Sequence, residues 1–68
     1  GKIAEALEHS REAVRVAPQT ADFHFNLART LAVAGQRDEA VKEFREVLRI
    51  NPADADARKE LARLLAGP

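Results

Sequence analysis

Cysteine, methionine, tryptophan and tyrosine are absent from the 68-residue chain, and three Phe supply all of its aromatic content. Without Cys there can be no disulfide and no thiolate metal ligand, and the compartment stays open. An excess of either charge is also missing: eleven Lys and Arg stand against eleven Asp and Glu. The balance is local, four against four in 1–34 and seven against seven in 35–68. That argues against a nucleic-acid partner, because binding phosphates calls for a basic surplus. Apolar runs are too short to span a bilayer or to act as a signal peptide, so no membrane insertion is expected. The three Gly are isolated and cannot form a phosphate-cradling loop. What is left is 46% hydrophobic and 32% charged, the make-up of one small folded domain and not of a disordered tail.

The chain matches itself at an offset of 34. Fourteen of the 34 possible pairs are identical, among them Gly1/Gly35, Glu5/Glu39, Ala6/Ala40, Arg11/Arg45, Pro18/Pro52, Leu27/Leu61 and Leu31/Leu65. Such a period marks a stacked repeat architecture. Each period holds two helical patterns. Phe23, Leu27, Ala28 and Leu31 form one stripe on a helix over 21–34, and Ala40, Val41, Phe44, Val47 and Leu48 form another over 37–50. Residues 2–16 repeat the second pattern and 55–66 the first.

Local signals mark the ends of these helices. Gly35 suits the left-handed position that closes a helix. Asp38 and Glu39 fall in the following first turn, where the helix dipole favours acids. Asn51-Pro52 stops the third helix, because proline cannot continue it. Thr20 and Asp54 hold equivalent N-cap places. Strand-type alternation is absent. The expected fold is all-α, with four antiparallel helices joined by short turns.

A 34-residue helix-turn-helix unit with these marks resembles the tetratricopeptide repeat. In 21–54, Leu27 and Ala28 stand where that family places its Leu-Gly pair, and Leu31 where it places Tyr. Gly35 is at the turn, Ala40 and Phe44 match the small and aromatic positions of the second helix, and Pro52 matches the closing Pro. His24 occupies the usual Trp position, and Val47 that of Ala. The resemblance implies a right-handed α-α superhelix. It divides the chain into the second half of a repeat (1–20), a complete repeat (21–54) and the first half of another (55–68). One whole repeat between two half-repeats makes a segment of a longer array the expected context, and Gly1 in place of an initiator Met leaves a processed, a cut and a recombinant chain all open.

The small residues Ala6, Ala28, Ala40 and Ala62 are expected to let helices approach closely. The remaining core is assigned to Phe23, Leu27, Leu31, Phe44, Val47, Leu48 and Leu61. Both ends should expose apolar surface: Ile3, Leu7 and Val14 at one, Leu64 and Leu65 at the other. Burial scales poorly at this size, so a broad, low thermal transition is expected.

Catalytic chemistry finds no support. His9 and Ser10 are adjacent on a helix and point about 100° apart, which does not make a nucleophile-base pair. His9 and His24 lack metal-ligand spacing, so neither a metal nor another cofactor is expected. His24 reads as a half-buried packing residue with one ring nitrogen bonded, and His9 as exposed. Glu12-Arg15 and Glu46-Arg49 read as weak surface pairs.

The family resemblance implies a concave groove, lined by the first helix of each repeat, that holds a peptide or helix of a partner protein. Carried over residue by residue, its positions are Asp22, Phe25, Asn26, Arg29 and Val33, then Asp56, Lys59, Glu60 and Arg63. Phe25 is expected to turn away from the core and serve as an anchor; the alternative is edge-on packing against its neighbours. Arg29 and Arg63 can receive a partner's carboxylates, or can pair with Asp22, Asp56 and Glu60. Asn26 matches a position of the carboxylate clamp that grips chaperone C-termini. Asp56 and Glu60 stand where that clamp needs cations, which argues against it. The expected function is a non-catalytic protein-interaction scaffold. Two alternatives remain: head-to-tail self-association through Ile3, Leu7, Leu64 and Leu65, or an accessory repeat region of a larger enzyme.

Overall fold

A computed structural model describes residues 1–67. Among them there are four helices and no strand: α1 (Lys2–Val16), α2 (Ala21–Val33), α3 (Arg37–Ile50) and α4 (Ala55–Ala66). Each packs on the next in sequence, and the α2–α3 interface is the most extensive. No helix is long and apolar enough to cross a membrane.

The turns have identifiable causes. Gly35 takes φ 82°, in the left-handed region that favours glycine. Its N–H reaches the Ala32 carbonyl while the Gln36 N–H reaches the Leu31 carbonyl. This is a complete Schellman motif, and it satisfies carbonyls that the end of α2 would otherwise leave open. At α4 the Asp54 carboxylate accepts from the Ala57 N–H at 3.0 Å. Thr20, expected to cap α2 in the same way, sits at the cap position in an extended conformation without a side-chain bond to the helix. Arg37 Nε donates to the Leu64 carbonyl at 2.7 Å, tying the start of α3 to the end of α4.

The core forms where α2 and α3 meet, in two adjoining clusters. One gathers Ala28, Phe44, Val47 and Ala57. The other gathers Leu27, Leu31 and Ala40. Ala28 and Ala40 are fully buried, so small side chains do allow the close approach expected of them. Their repeat equivalents Ala6 and Ala62 are exposed, because no helix covers those faces.

The buried stripe of α2 is His24, Leu27, Ala28 and Leu31, which corrects the expected one beginning at Phe23. Phe23 is half-buried and turned toward the α1 residues His9, Ser10 and Ala13. His24 is 6% exposed instead of half-buried. Both of its ring nitrogens, and not one, are bonded: to the Glu43 carboxylate of α3 and to the Pro18 carbonyl. A ring that finds two acceptors in the core can be buried without an unsatisfied polar atom. Leu48 and Leu61 are half-buried against the first cluster, at the edge of the core they were assigned to.

The helix ends are less apolar than their sequence predicts. Leu7 and Val14 pack against the Leu27/Leu31 cluster, and Leu64 packs against both clusters. Of the five residues expected to be exposed at the two ends of the chain, Ile3 and Leu65 do face solvent, 45% and 50% exposed.

Candidate partner-binding surface

The expected groove residues come from α2 and α4, and the structure distributes them over two depressions. A trough of about 580 Å³ runs between α1 and α2. It brings Asn26, Arg29 and Val33 together with Ile3, Ala6 and His9 of α1. A smaller cleft of about 290 Å³ lies between α2 and α4, lined by Phe25, Arg29, Asp56, Lys59 and Glu60. Arg29 borders both. Asp22 and Arg63 are exposed and line neither.

Phe25 does not stand free as an anchor. Its ring meets Phe44 edge-on, centroids 5.4 Å apart and planes at 79°, a favoured aromatic geometry. It is half-buried against the first core cluster and shows only part of its surface to the cleft. The buried stripe takes in His24, the neighbour of Phe25, and not Phe23, and Phe25 lies at its α3 edge.

The charges around the cleft are not equivalent. Arg63 pairs with Glu60 along α4, as the surface-pairing alternative held. Arg29, Lys59 and Asp56 make no ion pair among the described residues. Asp56 lies in the first turn of α4, where the helix dipole favours it. Two uncommitted cations therefore flank the exposed edge of Phe25, against one acid. Asn26 is exposed, and its carbonyl accepts from the Thr30 hydroxyl at 2.9 Å. Val33 is 72% exposed at the end of α2.

Two features escaped the sequence reading. The contribution of α1 to the large trough is one, although Ala6 and its buried equivalent Ala40 carried the signal. The other is an ion pair between α1 and α3, where Arg11 meets Glu39 at 2.7 Å. That contact holds the Arg11 guanidinium above its usual range and the Glu39 carboxyl below its own. The surface pairs Glu12-Arg15 and Glu46-Arg49 form as expected. No group of three or more His, Cys, Asp or Glu is arranged to hold a metal among the described residues.

Comparison with known proteins adds one finding. The family model described as tetratricopeptide repeat matches residues 1–64. No curated protein matches the chain.

Proposed function

Since the chain belongs to the tetratricopeptide-repeat family, whose repeats generally mediate protein–protein interaction, we propose that it is a binding module for a segment of a partner protein. The segment lies along the α2–α4 cleft. The observation that carries this reading is the cleft itself. Arg29 and Lys59, uncommitted, flank the partly exposed Phe25 ring. Such a surface favours a peptide that sets an acidic side chain beside an apolar one. The carboxylate meets the cations and the apolar group covers the ring edge. Glu60 does not oppose this, because Arg63 already engages its carboxylate.

An array of short peptides covering acidic, basic and apolar compositions tests the reading. Binders enriched in Asp or Glu next to Leu or Phe are expected. Arg29→Glu and Lys59→Glu should each weaken them by about three- to tenfold, more at low salt than at high. Both side chains are exposed, so helicity should be unchanged. Binders indifferent to both reversals would show that the cleft is not the site. Phe25→Ala is a poor probe, because that ring also packs on Phe44.

A further inference from the structure

Two turns at the same place in the repeat are tied down by different side chains. Nε2 of His24, on α2, meets the Pro18 carbonyl of the α1–α2 turn at 2.7 Å. One repeat further on, Nη2 of Arg58, on α4, donates to the Pro52 carbonyl of the α3–α4 turn, also at 2.7 Å. A guanidinium always has an N–H to give. An imidazole gives from both nitrogens only while it is charged, and it is the side chain that changes charge near neutral pH. The second tether is therefore permanent, and the first can depend on a proton.

The other nitrogen of His24 decides whether it does. Nδ1 lies 2.6 Å from the Glu43 carboxylate, and the two side chains are 7% and 17% exposed. Once the ring has lost one proton, the proton left behind serves one acceptor. A bond to a carboxylate is charge-assisted and stronger than one to a neutral carbonyl, and a lone pair turned on an anion is repelled more than one turned on a dipole. The remaining proton therefore stays at Nδ1. Nε2 then sets a lone pair against the Pro18 carbonyl, and two acceptors at that distance repel. Pro18 is exposed, so its carbonyl can turn to water instead.

We propose that the tie between the α1–α2 turn and the α2–α3 core is a proton-operated latch: it is closed while His24 carries both ring protons and opens when Nε2 loses its own, with Glu43 holding the ring to α3 in both states. The opened turn keeps the exposed Arg49–Gln19 bond to α3, 3.0 Å long, and its own backbone bonds. The entry of the chain from α1 into α2 then becomes free to shift.

The charges around the ring set the direction. Burial works against the imidazolium, and the Glu43 bond, the Pro18 carbonyl and the charges of Glu43 and Glu46 outweigh it. Glu46 is shared with Arg49. From α1, Arg11 bonds Glu39 and also acts on Glu43, while Glu12 and Arg15 engage each other. On α2 itself, Asp22 is exposed and points about 200° away from His24. The latch is closed on the acid side and opens as the pH rises through the His24 value, which lies above the ordinary 6.5.

Nuclear magnetic resonance of the isotope-labelled chain, followed from mildly acid to alkaline pH, tests it. The ring nitrogens of His24 show which one keeps the proton, and the carbonyl carbon of Pro18 reports the tie. The expected result is a neutral His24 protonated at Nδ1, and a Pro18 signal that moves with the same midpoint while that of Pro52 stays in place. Protection of the Thr20 N–H, which donates to the Ala17 carbonyl within the turn at 3.1 Å, should fall about tenfold across that midpoint. In Glu43→Gln the amide donates to Nδ1, the neutral ring keeps its proton at Nε2, and the Pro18 signal should stop responding. His9→Gln removes the only other imidazole and should leave the response intact. A neutral His24 protonated at Nε2 overturns the proposal, as does a Pro18 carbonyl that ignores the titration of the ring. A Pro52 carbonyl that moves together with Pro18, or a Pro18 response that survives Glu43→Gln, overturns it too.

Discussion

Nδ1 of His24 lies 2.6 Å from Oε1 of Glu43 inside the α2–α3 interface, while Nε2 of the same ring lies 2.7 Å from the Pro18 carbonyl oxygen. The Pro18 carbonyl and an ionised Glu43 both accept, so this geometry favours a ring that donates from both nitrogens, the imidazolium. Burial pulls its pKa down. The Glu43 hydrogen bond, the Pro18 carbonyl and the charges of Glu43 and Glu46 outweigh that and hold it above 6.5. A raised folded-state value means stability that is fully present below about 6.5 and lost as the pH rises through the folded value. The melting temperature should therefore fall from mildly acid to alkaline pH. Glu43→Gln should flatten this slope, because an amide can donate to a neutral ring. A wild-type melting temperature unchanged over that range would show that the ring is not charged.

Phe44 is 1% exposed, touches Phe25 and centres the first core cluster. Truncation to Ala should cost about 3–5 kcal/mol, comparable with the whole stability of so small a domain. The variant should lack cooperative unfolding in urea, whereas Val33→Ala, at a 72% exposed position, should shift stability by no more than about 0.5 kcal/mol. The wild-type chain itself should melt broadly and at low temperature, as calorimetry of dilute protein would show.

Gly35→Ala isolates a backbone effect. A Cβ at this position meets nothing within 4 Å, so no clash adds to the loss. The φ of 82° alone should cost about 1–2 kcal/mol, read as a lower urea midpoint with an unchanged slope.

The two equivalent caps should behave unequally. Asp54→Ala removes a 3.0 Å bond to the Ala57 N–H and should cost about 1 kcal/mol. Thr20 makes no such bond, so Thr20→Ala should cost clearly less. Equal losses in chemical denaturation would show that the cap bond contributes nothing.

By itself the sequence determined the helices, their ends and the family. Spacing of apolar residues, Gly35, Pro52 and the offset of 34 are local or periodic facts, and helix formation and termination respond to them directly. It also specified the innermost core, since Leu27, Ala28, Leu31, Ala40, Phe44 and Val47 are buried as assigned. Tertiary structure decided which of two neighbours completes the buried stripe of α2 beside Leu27, Ala28 and Leu31. Phe23 and His24 point about 100° apart on either side of that stripe, and apolarity alone favours Phe23. Glu43 and the Pro18 carbonyl make His24 the better core residue, but both are reached only when α3 and the preceding turn are in place. In the folded chain Phe25 seats on Phe44, Arg29 stands on the rim of both depressions, and α1 is one wall of the larger. Which groups converge there depends on partners far apart in the chain, and a helical period carries no information about them.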